Sequence, residues 1–137
     1  MSGSNTARKG LVTQLFVALE LAEMGYEVLQ PLEDLRYDLA CYIPPKDRFI
    51  RIQCKTAWLS KDQSCLIFNT SNMPGGRGKR KSYRGDVEFF GVYSSDTSKV
   101  YLVPVDDVPY VSQAILRLKS TKNNQEKGIT WAKDYEL

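Results

Sequence analysis

Apolar residues along 11–24, LVTQLFVALELAEM, fall at Leu11, Leu15, Ala18, Leu19 and Ala22, the i, i+4, i+7, i+8, i+11 spacing of one helix face. A helix is predicted there, with Gly25 as its stop. Gln14 has Leu11, Ala18 and Leu21 as its i−3, i+4 and i+7 neighbours and is expected to point inward, while Glu20 and Glu23 lie on other faces.

The period then changes to two. YEVLQP (26–31) predicts a short strand ending at a proline, and YDLACYI (37–43) a second with Asp38 near its start. Pro44, Pro45, Lys46 and Asp47 supply a turn, so a hairpin returns through 48–56. In that return Phe49, Arg51, Gln53 and Lys55 alternate with Ile50, Ile52, Cys54 and Thr56, which puts Gln53 and Lys55 side by side on one face. CLIFN (65–69), VEFFGVY (87–93) and VYLVPV (100–105) predict three further strands, and VSQAILRLK (111–119) a second helix. The glycine-rich segment 71–85 is expected to lack regular structure, and the polar tail 120–137 to dock or pair through Ile129, Trp131 and Tyr135.

At 137 residues, 42% hydrophobic and 26% charged, the chain suits one globular domain. With no apolar run of about 20 residues and no secretory signal, an intracellular protein without a membrane segment is expected. Histidine is absent, which excludes histidine-based triads. Cys41, Cys54 and Cys65 show no CxxC spacing, which argues against a tetrahedral zinc site. Catalysis is left to carboxylates, amides, lysines and a hard metal ion. The net charge is +3, yet Arg77, Lys79, Arg80, Lys81 and Arg84 concentrate positive charge within 77–84, and the rest of the chain is net negative.

The predicted hairpin brings Asp38 near Gln53 and Lys55, and an inward Gln14 reaches the same place. Oxygen ligands beside a lysine suit Mg²⁺ or another hard divalent cation acting on a phosphodiester. A solvent-facing lysine and glutamine with a capping aspartate fit the same spacing, which does not choose between the two. The basic loop is a solvated charge run or a flexible segment that tracks DNA phosphates; its glycines beside arginines favour DNA contact. Tyr83 is a core-edge aromatic or a residue that packs on sugar or base, and Asp86 a strand-start residue or one that supports a ligand, not a ligand itself.

The ordered series from Lys9-Gly10 through Gln14, Ala18, GYEV (25–28), Pro31 and YDL (37–39) to RIQCKTA (51–57) resembles the PD-(D/E)xK nuclease superfamily. Within it, the series is most similar to the small group I intron-associated homing endonucleases, and SYRGDVEFFGVY and YLVPV extend the likeness to about Pro104. The resemblance implies an α/β fold, a restriction-endonuclease-like core with a central mixed sheet flanked by helices. It implies a metal-dependent endonuclease that cuts double-stranded DNA as a homo-oligomer, dimer or tetramer, in a bacterial cytoplasm or an organelle such as a plastid. Asp38 would be the motif's acid and metal ligand, Lys55 its lysine, Gln53 the occupant of the second acidic position, and the Cys54 carbonyl a further ligand. The family's helix carries a glutamate where this chain has Gln14, so Asp38 would be the sole carboxylate. A Holliday junction resolvase-like nuclease and a DNA-binding protein that has lost catalysis are the alternatives.

Overall fold

The computed structural model describes residues 2–72, 81–109, 112–120, 123 and 128–137. Helix α1, Ser2–Glu23, begins well before the predicted start at Leu11. It stops at Gly25, whose φ of 88° is open to glycine. The Gly25 N–H donates to the Ala22 carbonyl at 3.0 Å and the Tyr26 N–H to the Leu21 carbonyl at 3.2 Å, the paired bonds of a glycine-ended helix.

Among the described residues ten strands follow: β1 Glu27–Leu29, β2 Leu39–Ile43, β3 Arg48–Thr56, β4 Trp58–Leu59, β5 Cys65–Asn69, β6 Ser71–Asn72, β7 Lys81–Ser82, β8 Phe89–Ser94, β9 Lys99–Pro104 and β10 Gln113–Arg117. The main sheet has the order β1-β2-β3-β8-β9, antiparallel except for the β3–β8 pair. Its hairpin is the predicted one, turning through Pro44–Lys46 to Asp47, where φ is 47° and the Tyr42 hydroxyl donates to the carboxylate at 2.7 Å.

The two faces of this sheet are covered differently. On one, Val17 and Leu21 of α1 pack against Leu39, Cys41, Ile50 and Ile52. The helix comes so close that a Cβ on Gly91 would stand 2.7 Å from a Val17 methyl. On the other, Phe90, Val92, Tyr101 and Val103 meet Leu66, Phe68, Ala114 and Leu116 from a second sheet of order β10-β5-β4. Phe68 sits edge-on to Phe90 with centroids 5.6 Å apart.

Three expectations need correction. The second helix at 111–119 is strand β10: Ala114 and Leu116 are buried while Ile115 is 56% exposed, a period of two that pairs with β5. The segment 71–85 carries regular structure at its ends, β6 pairing with β7, while residues 73–80 lie outside the described residues. The buried line of α1 is Thr13, Val17 and Leu21, whereas Leu11, Leu15 and Leu19 face outward. Both lines have helical spacing, and the one beside Gly91 is the one the sheet admits. The C-terminal tail docks as expected: the Leu102 N–H donates to the Tyr135 carbonyl at 2.9 Å and the Leu137 N–H to the Val100 carbonyl at 2.9 Å.

Candidate active site

The register of the hairpin builds the site. Leu39 pairs with Ile52, and the Asp38 N–H still donates to the Ile52 carbonyl at 2.9 Å, so β2 begins where Asp38 meets the Gln53–Lys55 stretch of β3. The pairs Gln53↔Phe90 and Lys55↔Val92 put both side chains on the face away from α1. Arg51, next on that face, is held by Glu88 through a side-chain contact of 2.5 Å and a backbone N–H bond of 2.7 Å.

Beyond the start of β2, the Cys54 N–H has no strand to pair with and donates instead to Asp38 Oδ2 at 2.9 Å. Residues of a strand turn their N–H and C=O together to alternate sides. The Arg51 carbonyl accepts from Glu88 and the Ala57 N–H donates to Tyr93, both toward β8, so the intervening Cys54 directs its carbonyl to Asp38's side. The Cys54 side chain lies on the α1 side, and burial with the nearby Asp38 charge drives its thiol far above the ordinary range.

Asp38, Gln53, Asp34, Leu35, Arg36 and Tyr83 line a cavity of about 290 Å³. A larger one of about 470 Å³ is lined by Val12, Thr56, Ala57 and Trp58, and neither Asp38 nor Gln53 reaches it. Burial raises the Asp38 carboxyl's pKa, opposed by the Cys54 N–H and the Lys55 charge. Burial lowers Lys55 to about 8, against the pull of Asp38. Lys55 Nζ lies 3.3 Å from the Tyr83 hydroxyl and 4.6 Å from the ring centre. The same ring takes the Arg36 guanidinium at 4.0 Å, and Arg36 is steered there by Asp86 at 3.1 Å and the Ser82 carbonyl at 2.8 Å.

Asp38, Gln53 and Lys55 are thus brought together, and Tyr83 joins them as a buried core-edge aromatic. Asp86 pairs with Arg36 of the cavity lining at 3.1 Å. Sequence reading missed Arg36 and Asp34; Arg36 reaches Asp86 and Ser82 only through the fold, and nothing local marks it. Gln14 is half-buried on α1 and is not among the residues lining the cavity. Of the basic residues, Arg77, Lys79 and Arg80 lie outside the described residues. Lys81 is exposed. Arg84 is tied to Asp106 at 2.9 Å and to the Val108 carbonyl.

The donors fit a hard divalent cation: the second oxygen of Asp38, the directed Cys54 carbonyl and the neighbouring Gln53 amide are all oxygen. Among the described residues no three His, Cys, Asp or Glu side chains form a cluster, which leaves the carboxylate count at this point low.

The fold has a counterpart among solved structures. A search of curated proteins found no match. Among solved structures, the bacterial homing endonuclease I-Ssp6803I is similar with a TM-score of 0.74 and 27% identity, over 96% of this chain and 88% of that one. The family model described as PD-(D/E)XK endonuclease matches residues 4–137, a span that runs through α1, the hairpin with Asp38, Gln53 and Lys55, and the docked tail; the chain belongs to the PD-(D/E)XK endonucleases.

Proposed function

We propose that this chain is a site-specific, Mg²⁺-dependent endonuclease of the homing type that hydrolyses phosphodiester bonds of duplex DNA. The observation that carries it is the meeting of Asp38 and Gln53 at one cavity where β2 gives out, with the Lys55 amine against the Tyr83 hydroxyl of that cavity's lining. The likeness to a homing endonuclease supports the narrower class.

Asp38, Gln53 and the Cys54 carbonyl are the residues that would hold the cation; Gln14 of α1, which does not line the cavity, stands only where the resemblance puts a further oxygen donor. Bound there, Mg²⁺ supplies charge neutralisation at the phosphate and lowers the pKa of water. Lys55, with its pKa lowered to about 8, holds or releases a proton at Nζ near neutral pH and orients the attacking water. Tyr83 and Arg36 keep that amine on the cavity side, and Arg36 adds positive charge where the phosphate would lie. Lys81 and the neighbouring basic segment follow the DNA backbone. Among the described residues one protomer offers one such cavity, so cutting both strands requires at least two copies.

The low carboxylate count favours a second reading, a DNA-binding protein that has lost catalysis. Cleavage of a randomised duplex library over a Mg²⁺ titration, with cut ends sequenced, decides between them. The proposal expects metal-dependent cuts at a recurring sequence, abolished by Asp38→Asn and by Lys55→Met, and faster at lower Mg²⁺ in Gln14→Glu. Binding without cutting in both the parent and Gln14→Glu would establish the second reading. Preferential cutting of a four-way junction over linear duplex would move the chain to the resolvase-like class.

A further inference from the structure

The cavity where β2 gives out holds an acid outside the Asp38, Gln53 and Lys55 pattern. Between β1 and β2 the chain bends at Leu32, Glu33 and Arg36, and Asp34 and Asp38 both reach the lining of the same cavity of about 290 Å³. The stretch is not helical, so the meeting comes from these bends and not from a four-residue repeat.

Asp34 is exposed and Asp38 half-buried, and they lie close enough for the Asp34 charge to push the Asp38 pKa upward. Two carboxylates in one cavity repel unless positive charge offsets them. The cations of this region are engaged beside them: the Arg36 guanidinium lies over the Tyr83 ring, held by Asp86 and the Ser82 carbonyl, and Lys55 Nζ stands against the Tyr83 hydroxyl. Among the described residues the Asp34 carboxylate makes no ion pair and no hydrogen bond. The Gln53 amide of the same lining makes no hydrogen bond either.

We propose that Asp34 is the second anionic ligand of the divalent cation at this cavity, supplying the carboxylate that Gln14 of α1 does not. The inference rests on the cation site of the proposed function. Asp38 offers the oxygen left over from its bond to the Cys54 N–H, and the set becomes two carboxylates, the Gln53 amide oxygen and the Cys54 carbonyl. Two negative charges match a dication. The Cys54 thiol lies on the α1 side of the sheet, so the set is all oxygen, as a hard cation that retains several waters prefers. Its exposure lets Asp34 reach the ion directly or through one of those waters.

Mn²⁺ binding to the DNA-free chain, read from the loss of the free-ion electron paramagnetic resonance signal, tests this without any turnover. The parent is expected to bind Mn²⁺ in competition with Mg²⁺, and Asp34→Asn to weaken that binding about tenfold. Asp38→Asn should abolish it. Glu33→Gln removes the same charge from a residue outside the cavity lining, and should bind as the parent does. Urea unfolding should find Asp34→Asn no less stable than the parent, because the side chain is exposed. A parent that takes up no Mn²⁺ even at roughly millimolar concentration overturns the proposal. So does equal affinity in the parent and Asp34→Asn, an affinity untouched by Asp38→Asn, or a loss in Glu33→Gln as large as that in Asp34→Asn. Asp34-dependent Mn²⁺ binding in a chain that cuts no DNA would count against the proposed function and leave the ligand standing. DNA cleavage with Mn²⁺ binding unmoved by Asp34→Asn would do the reverse.

Discussion

Lys55 shows what one residue's surroundings impose. Its ammonium is buried beside Tyr83, and desolvation brings its pKa from 10.5 to about 8. Below pH 8 both folded and unfolded chains hold the proton, and the folded one bears the desolvation cost. Between about 8 and 10.5 the unfolded chain binds more protons, so stability rises with pH. Allowing for partial exposure, this rise is roughly 2 kcal/mol. Urea unfolding of the parent and Lys55→Met across that window should show the rise in the parent and a flatter profile in the variant. Parallel profiles would mean that Lys55 is solvated in solution. The sequence placed Lys55 next to Gln53, but burial in the folded chain, with the Arg36 charge nearby, is what makes its proton labile.

At the scale of elements, the contact between α1 and β8 is set by Gly91. A methyl there would stand 2.7 Å from a Val17 methyl and 3.0 Å from an Ile52 methyl, closer than packed carbons tolerate. Gly91→Ala is therefore expected to destabilise the chain by about 1–3 kcal/mol. Val17→Ala should recover part of that loss, so a double-mutant cycle in urea gives a coupling well outside additivity. Additive changes would mean that the helix moves away freely. The same contact explains an error of pattern reading. Leu11–Leu15–Leu19 and Thr13–Val17–Leu21 both repeat at helical spacing, and the notch at Gly91 selects the second for burial. VSQAILRLK was ambiguous in another way, since Ala114, Leu116 and Leu118 also alternate, and pairing with β5 resolved it as a strand.

Across the whole molecule, charge is divided between segments that serve different ends. Arg84 looked like part of one basic run with Lys81, yet its guanidinium is fastened to Asp106 and to the Val108 carbonyl, while Lys81 is exposed. In DNA-binding titrations over a range of salt, Lys81→Ala should reduce the slope of log K against log salt by about 0.9. Arg84→Ala should leave the slope unchanged and lower thermal stability instead. The opposite result, a slope change at 84 and none at 81, would exchange their roles.

Much of this protein was decided by local order in the sequence. The hairpin through Pro44–Asp47 and the period-two alternation of 48–56 fix that Gln53 and Lys55 share a face and that Asp38 faces them, because register follows from turn and pleat. The glycine stop of α1 and three further strands follow from equally short-range rules. What the tertiary structure alone decided depends on partners distant in the chain. Which stripe of α1 is buried, whether 113–117 is strand or helix, and that Arg36 and Tyr83 close the cavity all rest on packing between segments whose separate sequences permit either outcome. Burial free energy is gained only where a neighbour is present, and no local pattern names that neighbour.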